Sequence, residues 1–255
     1  MRIISILSGK GGVGKTTVTA NIGVALTMLG KSVTIIDANI TTPHLGINFG
    51  IFNYPITLND VLKGKVNSVV DAMYFHDTGL RIIPSALNVE ELYGVDVMDL
   101  EKVVQKVPMS DFVLIDSAPG IGREAIAAIQ AAQELLYVTN PNIAAVTDIV
   151  KVSEVAKRLG KKQLGVVINS VKRKMHELTI DEIEEFTGLP VLAMIPYDNA
   201  IEKALSLGKT VVEYNPYSNA SIEFMKLAAK LAGEEYKPPK VAFIHKLKNY
   251  FASMI

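Results

Sequence analysis

The chain has 255 residues, with 26 Lys and Arg against 26 Asp and Glu, 49% hydrophobic residues, 20% charged residues and no cysteine. This length suits one α/β domain and buries a large core without disulfides or a structural metal. The lack of thiols excludes thiolate-bound zinc, iron–sulfur clusters, cysteine nucleophiles and disulfide frameworks, and the balanced charge argues against a surface given over wholly to nucleic acid. No apolar run approaches the ~20 residues that span a bilayer. The opening MRIISILSGKGG has neither the apolar stretch nor the cleavage site of a signal peptide. A soluble, cytoplasmic protein is the expectation.

In chain order, the strand Ile3–Leu7 leads to a helix over 15–29, and the strands Val33–Asp37 and Leu80–Pro84 to a helix over 89–106. Phe112–Asp116 is followed by a helix over 122–132, Leu135–Thr139 by one over 143–160, and Leu164–Asn169 by one over 179–187. Val191–Pro196 precedes helices over 199–207 and 217–232. Most of the strand runs are apolar on consecutive residues, as in strands buried on both faces. The alternation predicts right-handed βαβ crossovers and an α/β fold. Its mainly parallel sheet of about seven to eight strands is flanked by helices on both faces. Gly233 and the pair Pro238-Pro239 end the last helix. The division is therefore a domain over 1–232, a linker over 233–240 and a separate segment over 241–255.

Gly9-Lys-Gly-Gly-Val-Gly-Lys-Thr16 is the strongest signal. It matches G-x-x-x-x-G-K-[ST], follows a strand and opens a helix. Gly9, Gly11, Gly12 and Gly14 let the backbone amides from Lys10 through Val13 to Thr16 and Thr17 curl round a phosphate at the positive end of a helix. Lys15 reaches the β- and γ-phosphates, and the Thr16 hydroxyl coordinates Mg²⁺. The ligand expected is therefore a magnesium nucleotide.

The early lysine, Lys10, gives the loop the spelling K-G-G-x-G-K-T-T. With it, the sequence resembles the deviant Walker A ATPases of the MinD/ParA family from Met1 to about residue 232, and its MinD members most closely. The resemblance implies a P-loop NTPase fold and a homodimer that encloses ATP, with Lys10 reaching the partner's phosphates. Asp116, at the end of Phe112-Val-Leu-Ile-Asp116, resembles Walker B and would help hold Mg²⁺. Gly120 in Ser117-Ala-Pro-Gly120 resembles the glycine that senses the γ-phosphate. Asp37 resembles the acidic strand end before switch I, a second position at the metal. Where MinD relatives read D-x-D, this chain reads Asp37-Ala-Asn39, so Asn39 stands where the family orients its attacking water. Asn cannot accept a proton, and hydrolysis is expected to be slow. Asn169 matches the family's adenine-reading Asn, and Pro196-Tyr-Asp198 its P-x-D loop over the base. Asn142 stands where the family often has Glu against the partner's ribose, and Asp148 matches an acid that pairs with the early lysine. Iron–sulfur carriers of the same superfamily need cysteines that are absent here.

In Val241–Ile255, residues Phe243, Ile244, Leu247, Tyr250, Phe251, Met254 and Ile255 fall on one helical face, with lysines on the other. The segment resembles MinD's membrane-targeting helix. This implies a peripheral position at the inner face of the cell membrane, contact with anionic lipid, and a partner that activates the switch or is its cargo. A DNA-associated, ParA-like role is the alternative. It draws on Lys157, Arg158, Lys161 and Lys162 and on Lys172, Arg173 and Lys174, though a solvated charged surface explains these clusters more simply.

Overall fold

The structure, a computed structural model, describes residues 1–239. The helix expected over 241–255 lies outside the described residues.

The elements run β1 (Arg2–Leu7), α1 (Lys15–Met28), β2 (Val33–Ala38), α2 (Leu58–Leu62), β3 (Tyr74–Phe75), β4 (Arg81–Ile83), α3 (Leu100–Gln105), β5 (Phe112–Ser117), α4 (Arg123–Ala131), β6 (Glu134–Thr139), α5 (Ile143–Arg158), β7 (Lys162–Val171), α6 (Ile180–Thr187), β8 (Val191–Pro196), α7 (Asn199–Ser206), α8 (Val211–Tyr214) and α9 (Asn219–Ala232). The described residues form an eight-stranded sheet in the order β3-β4-β2-β5-β1-β6-β7-β8. Every pairing is parallel except that of β3 with β4.

The continuous apolar runs have the expected cause. Ile3 and Leu7 of β1 face one apolar layer with residues of α3, α4 and α5, while Ile4 and Ile6 face the other with α1 and α9. β5 divides in the same way, Val113 and Ile115 to one side, Phe112 and Leu114 to the other. Both faces of the central strands are therefore dry, and alternation disappears from the sequence.

The expected helix over 89–106 is not formed as one piece. Short 3₁₀ turns at Val89–Leu92 and Val97–Asp99 precede the six-residue α3. Gly94 lies between the turns at φ +77°. The Asn88 and Asp96 side chains accept the Glu90 and Met98 N–H groups, giving the backbone local partners that compete with helix. The structure also adds β3, α2 and α8, which the sequence reading did not include.

Candidate nucleotide-binding site

The site lies at the C-terminal ends of β1, β2 and β5, where the parallel strands deliver their loops. β1 enters the loop at Ser8, and α1 begins at Lys15 behind Gly14, which stands at φ +88° and leaves the helix N-terminus with no side-chain cap. The first N–H groups of α1 face outward as an anion-binding end. A Cβ at position 14 would lie 2.2 Å from the Asn169 amide nitrogen, so glycine is required there on two counts.

Beneath the loop, Lys15 Nζ meets Asp116 Oδ1 at 2.6 Å, with 7% and 0% of the two side chains exposed. The Thr19 hydroxyl, one turn along α1, donates to the same oxygen at 3.3 Å. The other oxygen, Oδ2, is buried and unpartnered. Strand pairing places Asp37 of β2 directly beside Asp116 of β5. Asp37 accepts the Leu45 N–H at 2.9 Å and the Asn39 N–H at 3.2 Å. Burial and the neighbouring Asp116 nevertheless push its carboxyl up to about 7. The Ser85 hydroxyl holds the Asp37 carbonyl at 2.7 Å.

Asn169 lies beside the phosphate loop, with its amide donating to the Val13 carbonyl at 2.8 Å and its Oδ1 buried without a partner. Asn140 donates to the Asn169 carbonyl at 3.0 Å and to Val13 at 3.4 Å, so two side chains tie the loop to the β6 and β7 ends. The Gly120 N–H donates to the Ser8 carbonyl at 2.8 Å, joining the segment after β5 to the loop's first residue. Lys10, Thr16 and Thr17 are half-buried, Val13 is buried, and Gly11 and Gly12 are exposed. Gly9 lies so near α5 that a Cβ there would fall 2.3 Å from that of Asp148.

Other residues have local work. Asn39 is tied into its own turn: its amide donates to the Thr42 carbonyl at 2.5 Å and its oxygen accepts the Thr42 hydroxyl at 3.1 Å. Asp198 caps α7 through the Ala200 N–H at 2.9 Å and also accepts the Ala220 N–H at 3.4 Å. Pro196 ends β8, its register partner Val171 lying at the end of β7. Asn142 caps α5 at the Ala145 N–H. Asp148 pairs with Lys151 one turn away at 3.2 Å, not with Lys10, which has no ion pair among the described residues. A neighbour three residues along a helix is reached without ordering a separate loop.

The donor set fits a magnesium nucleotide. An uncapped helix N-terminus and a buried lysine suit the phosphates. Asp116 Oδ2, Asp37 and the Thr16 hydroxyl are hard oxygens for the cation. The unpartnered Asn169 oxygen accepts hydrogen bonds, as recognition of an exocyclic amine requires.

A family described as ParA, NUBPL iron-transfer P-loop NTPase matches residues 1–232. The chain belongs to the ParA family of P-loop NTPases. The iron-transfer part of that description finds no thiolate ligand in this chain, which has no cysteine. Among relatives of this ParA-family chain, an uncharacterized ATP-binding protein of Methanocaldococcus jannaschii is 38% identical over 97% of the chain and 96% of the relative. The septum site-determining protein MinD of Thermotoga maritima is 34% identical over 99% and 98%. The structure of Pyrococcus horikoshii MinD complexed with Mg-ADP superposes with a TM-score of 0.86 at 37% identity, covering 90% of this chain and 95% of that one.

Thr19, Ser85 and Asn140 were not singled out in the sequence. Thr19 carried a signal, since it follows Lys15 by one helical turn. Ser85 and Asn140 lie on other strand ends and carried none. The basic clusters of the DNA alternative are partly engaged within the fold. Lys161 caps the Gln130 and Ala132 carbonyls, Lys162 pairs with Glu134, and Lys172 lies 4.5 Å from the centroid of the Tyr197 ring. No helix among the described residues is long and apolar enough to cross a membrane.

Proposed function

We propose that this chain is a MinD-like ATP-driven switch. It binds Mg-ATP, closes into a homodimer around the nucleotide, and attaches through residues 241–255 to an anionic membrane at the inner face of the cell, where it positions a partner protein. The Lys15–Asp116 pair beneath an uncapped helix end carries this reading. It holds an ammonium ready for phosphate, and transfer of Lys15 to the nucleotide frees both Asp116 oxygens to face the cation with Asp37 and Thr16. The bound Mg²⁺ would neutralise charge developing on the phosphates. The loop amides from Gly9 to Thr17 hold the phosphates, and the Gly120 N–H joins them by leaving the Ser8 carbonyl. Asn169 reads adenine from beside Val13, with Pro196 and Asp198 shaping the loop over the base. Lys10, free of the Asp148 pairing, is available to supply positive charge to the partner copy's nucleotide. Asn39 offers no charge to an attacking water, and turnover is low.

A single interfacial helix binds lipid weakly. Two on one dimer bind together, which raises avidity by ~10²–10⁴, so dimerisation sets attachment. Light scattering after size exclusion tests the core of this reading. A dimer is expected with Mg-ATP, a monomer without nucleotide or with Lys10→Ala. A monomer under every condition would refute the sandwich. Co-sedimentation with anionic liposomes in ATP and in ADP, and with residues 241–255 deleted, tests attachment. Equal pelleting of all samples would refute it.

A further inference from the structure

Tyr54 belongs to none of the motifs above, yet its hydroxyl lies against the turn that follows Asp37. The oxygen is buried and unpartnered. It presses on Gly46 so closely that a Cβ built on that glycine would lie 1.8 Å away. Gly46 follows Leu45, whose N–H holds the Asp37 carboxylate. The phenol therefore backs the turn that carries one side of the metal-facing acid. The ring is held from behind by Tyr74, edge-on at 5.0 Å between centroids. Tyr74 is itself anchored, its hydroxyl accepting the Ile56 N–H and donating to the Ile56 carbonyl.

Burial and the charge of Asp37 push the Tyr54 phenol up, so it remains a protonated donor at working pH. A buried O–H without an acceptor carries a free-energy cost that a small rearrangement can relieve. The Asp37 carboxylate, held by the residue before Gly46, has capacity to accept: it takes two N–H groups, and a carboxylate offers about four lone-pair directions.

We propose that Tyr54 is a positioning residue of the nucleotide site, its hydroxyl donating to Asp37 when the segment after β2 closes on the magnesium nucleotide and so fixing that carboxylate's aim at the cation. This rests on the nucleotide reading above.

The test is Tyr54→Phe in the full chain, read by binding of a fluorescent ATP analogue against Mg²⁺ concentration and by thermal melting. Expected are unchanged affinity in EDTA, an unchanged or higher melting temperature, and a half-saturating Mg²⁺ concentration raised roughly tenfold. Gly46→Ala, which displaces the hydroxyl, should raise the Mg²⁺ requirement too. A Mg²⁺ requirement within twofold of wild type for Tyr54→Phe overturns the proposal. A markedly lowered melting temperature also overturns it, since the hydroxyl would then be a structural prop. If the wild-type chain binds no adenine nucleotide, the reading beneath it falls as well.

Discussion

Removing the Lys15 charge is the most direct test of the electrostatics at this site. Lys15→Met keeps the unbranched stem and deletes the ammonium that faces Asp116 at 2.6 Å. Asp116 is fully buried, and after the change only the Thr19 hydroxyl donates to it. Breaking a buried ion pair from one side costs about 3–5 kcal/mol, because the remaining charge is stranded. Here the cost depends on pH. Asp37, next to Asp116, has its carboxyl raised to about 7 by burial and by Asp116, while Lys15 acts in the opposite direction. Between the unfolded carboxyl value near 4 and the folded value, the native state binds more protons than the unfolded chain, so stability falls as pH rises through that window. Deleting Lys15 raises the Asp37 value further and carries the fall to higher pH.

Urea unfolding of wild type and Lys15→Met should therefore show a loss of about 3–5 kcal/mol at pH 8 and a smaller one at pH 6. In the double variant Lys15→Met/Asp116→Asn, most of the loss should return, since no buried charge is stranded. If Lys15→Met lies within about 1 kcal/mol of wild type at pH 8, or if the double variant is no better than the single, the pair is not the electrostatic centre described here.

Two other changes separate chemistry from structure. Asn39→Asp introduces a second carboxylate and should raise ATP turnover tenfold or more, while losing the donor to the Thr42 carbonyl should lower the melting temperature; equal turnover would show that Asn39 does not limit hydrolysis. Asn169→Ala deletes the unpartnered oxygen and one tie to Val13, so ATP affinity measured by calorimetry should fall roughly tenfold and preference over GTP should shrink. Preference held at the wild-type value would show that Asn169 only braces the loop.

What the sequence shows and what it hides divide on physical lines. The spelling of residues 9–16 is local, and so is the dryness of β5, whose residues are all buried. Both were legible. The helix over 89–106 was not, because spacing of apolar residues is blind to Gly94 at positive φ and to Asx caps that end turns early. β3 has two residues and no period to detect; it exists because the turn closed by the Gly79 N–H and the His76 carbonyl folds it onto β4. The side-by-side placement of Asp37 and Asp116 follows from β2 lying next to β5, a strand order no single segment encodes. Asp198 and Asn142 also cap helices, a use of such residues at strand-to-helix turns that the local sequence does signal.

The buried side-chain atoms without partners show why these pieces belong together. Among the described residues, Ser8 Oγ, Asp116 Oδ2 and Asn169 Oδ1 adjoin the phosphate loop, the Tyr54 hydroxyl abuts the turn that holds Asp37, and Ser5 Oγ lies within β1. An unpaired buried polar atom costs about 1–3 kcal/mol, and the same fold pairs Thr34 with Ser110 and Ser221 with two carbonyls in comparable burial. Most of the unmet hydrogen-bonding capacity among the described residues therefore lies around the candidate nucleotide site. A ligand that satisfies these atoms binds the native state alone, so its affinity appears as added stability that grows with its concentration. A nucleotide that satisfied these atoms would therefore couple binding to folding at the junction of β1, β2 and β5.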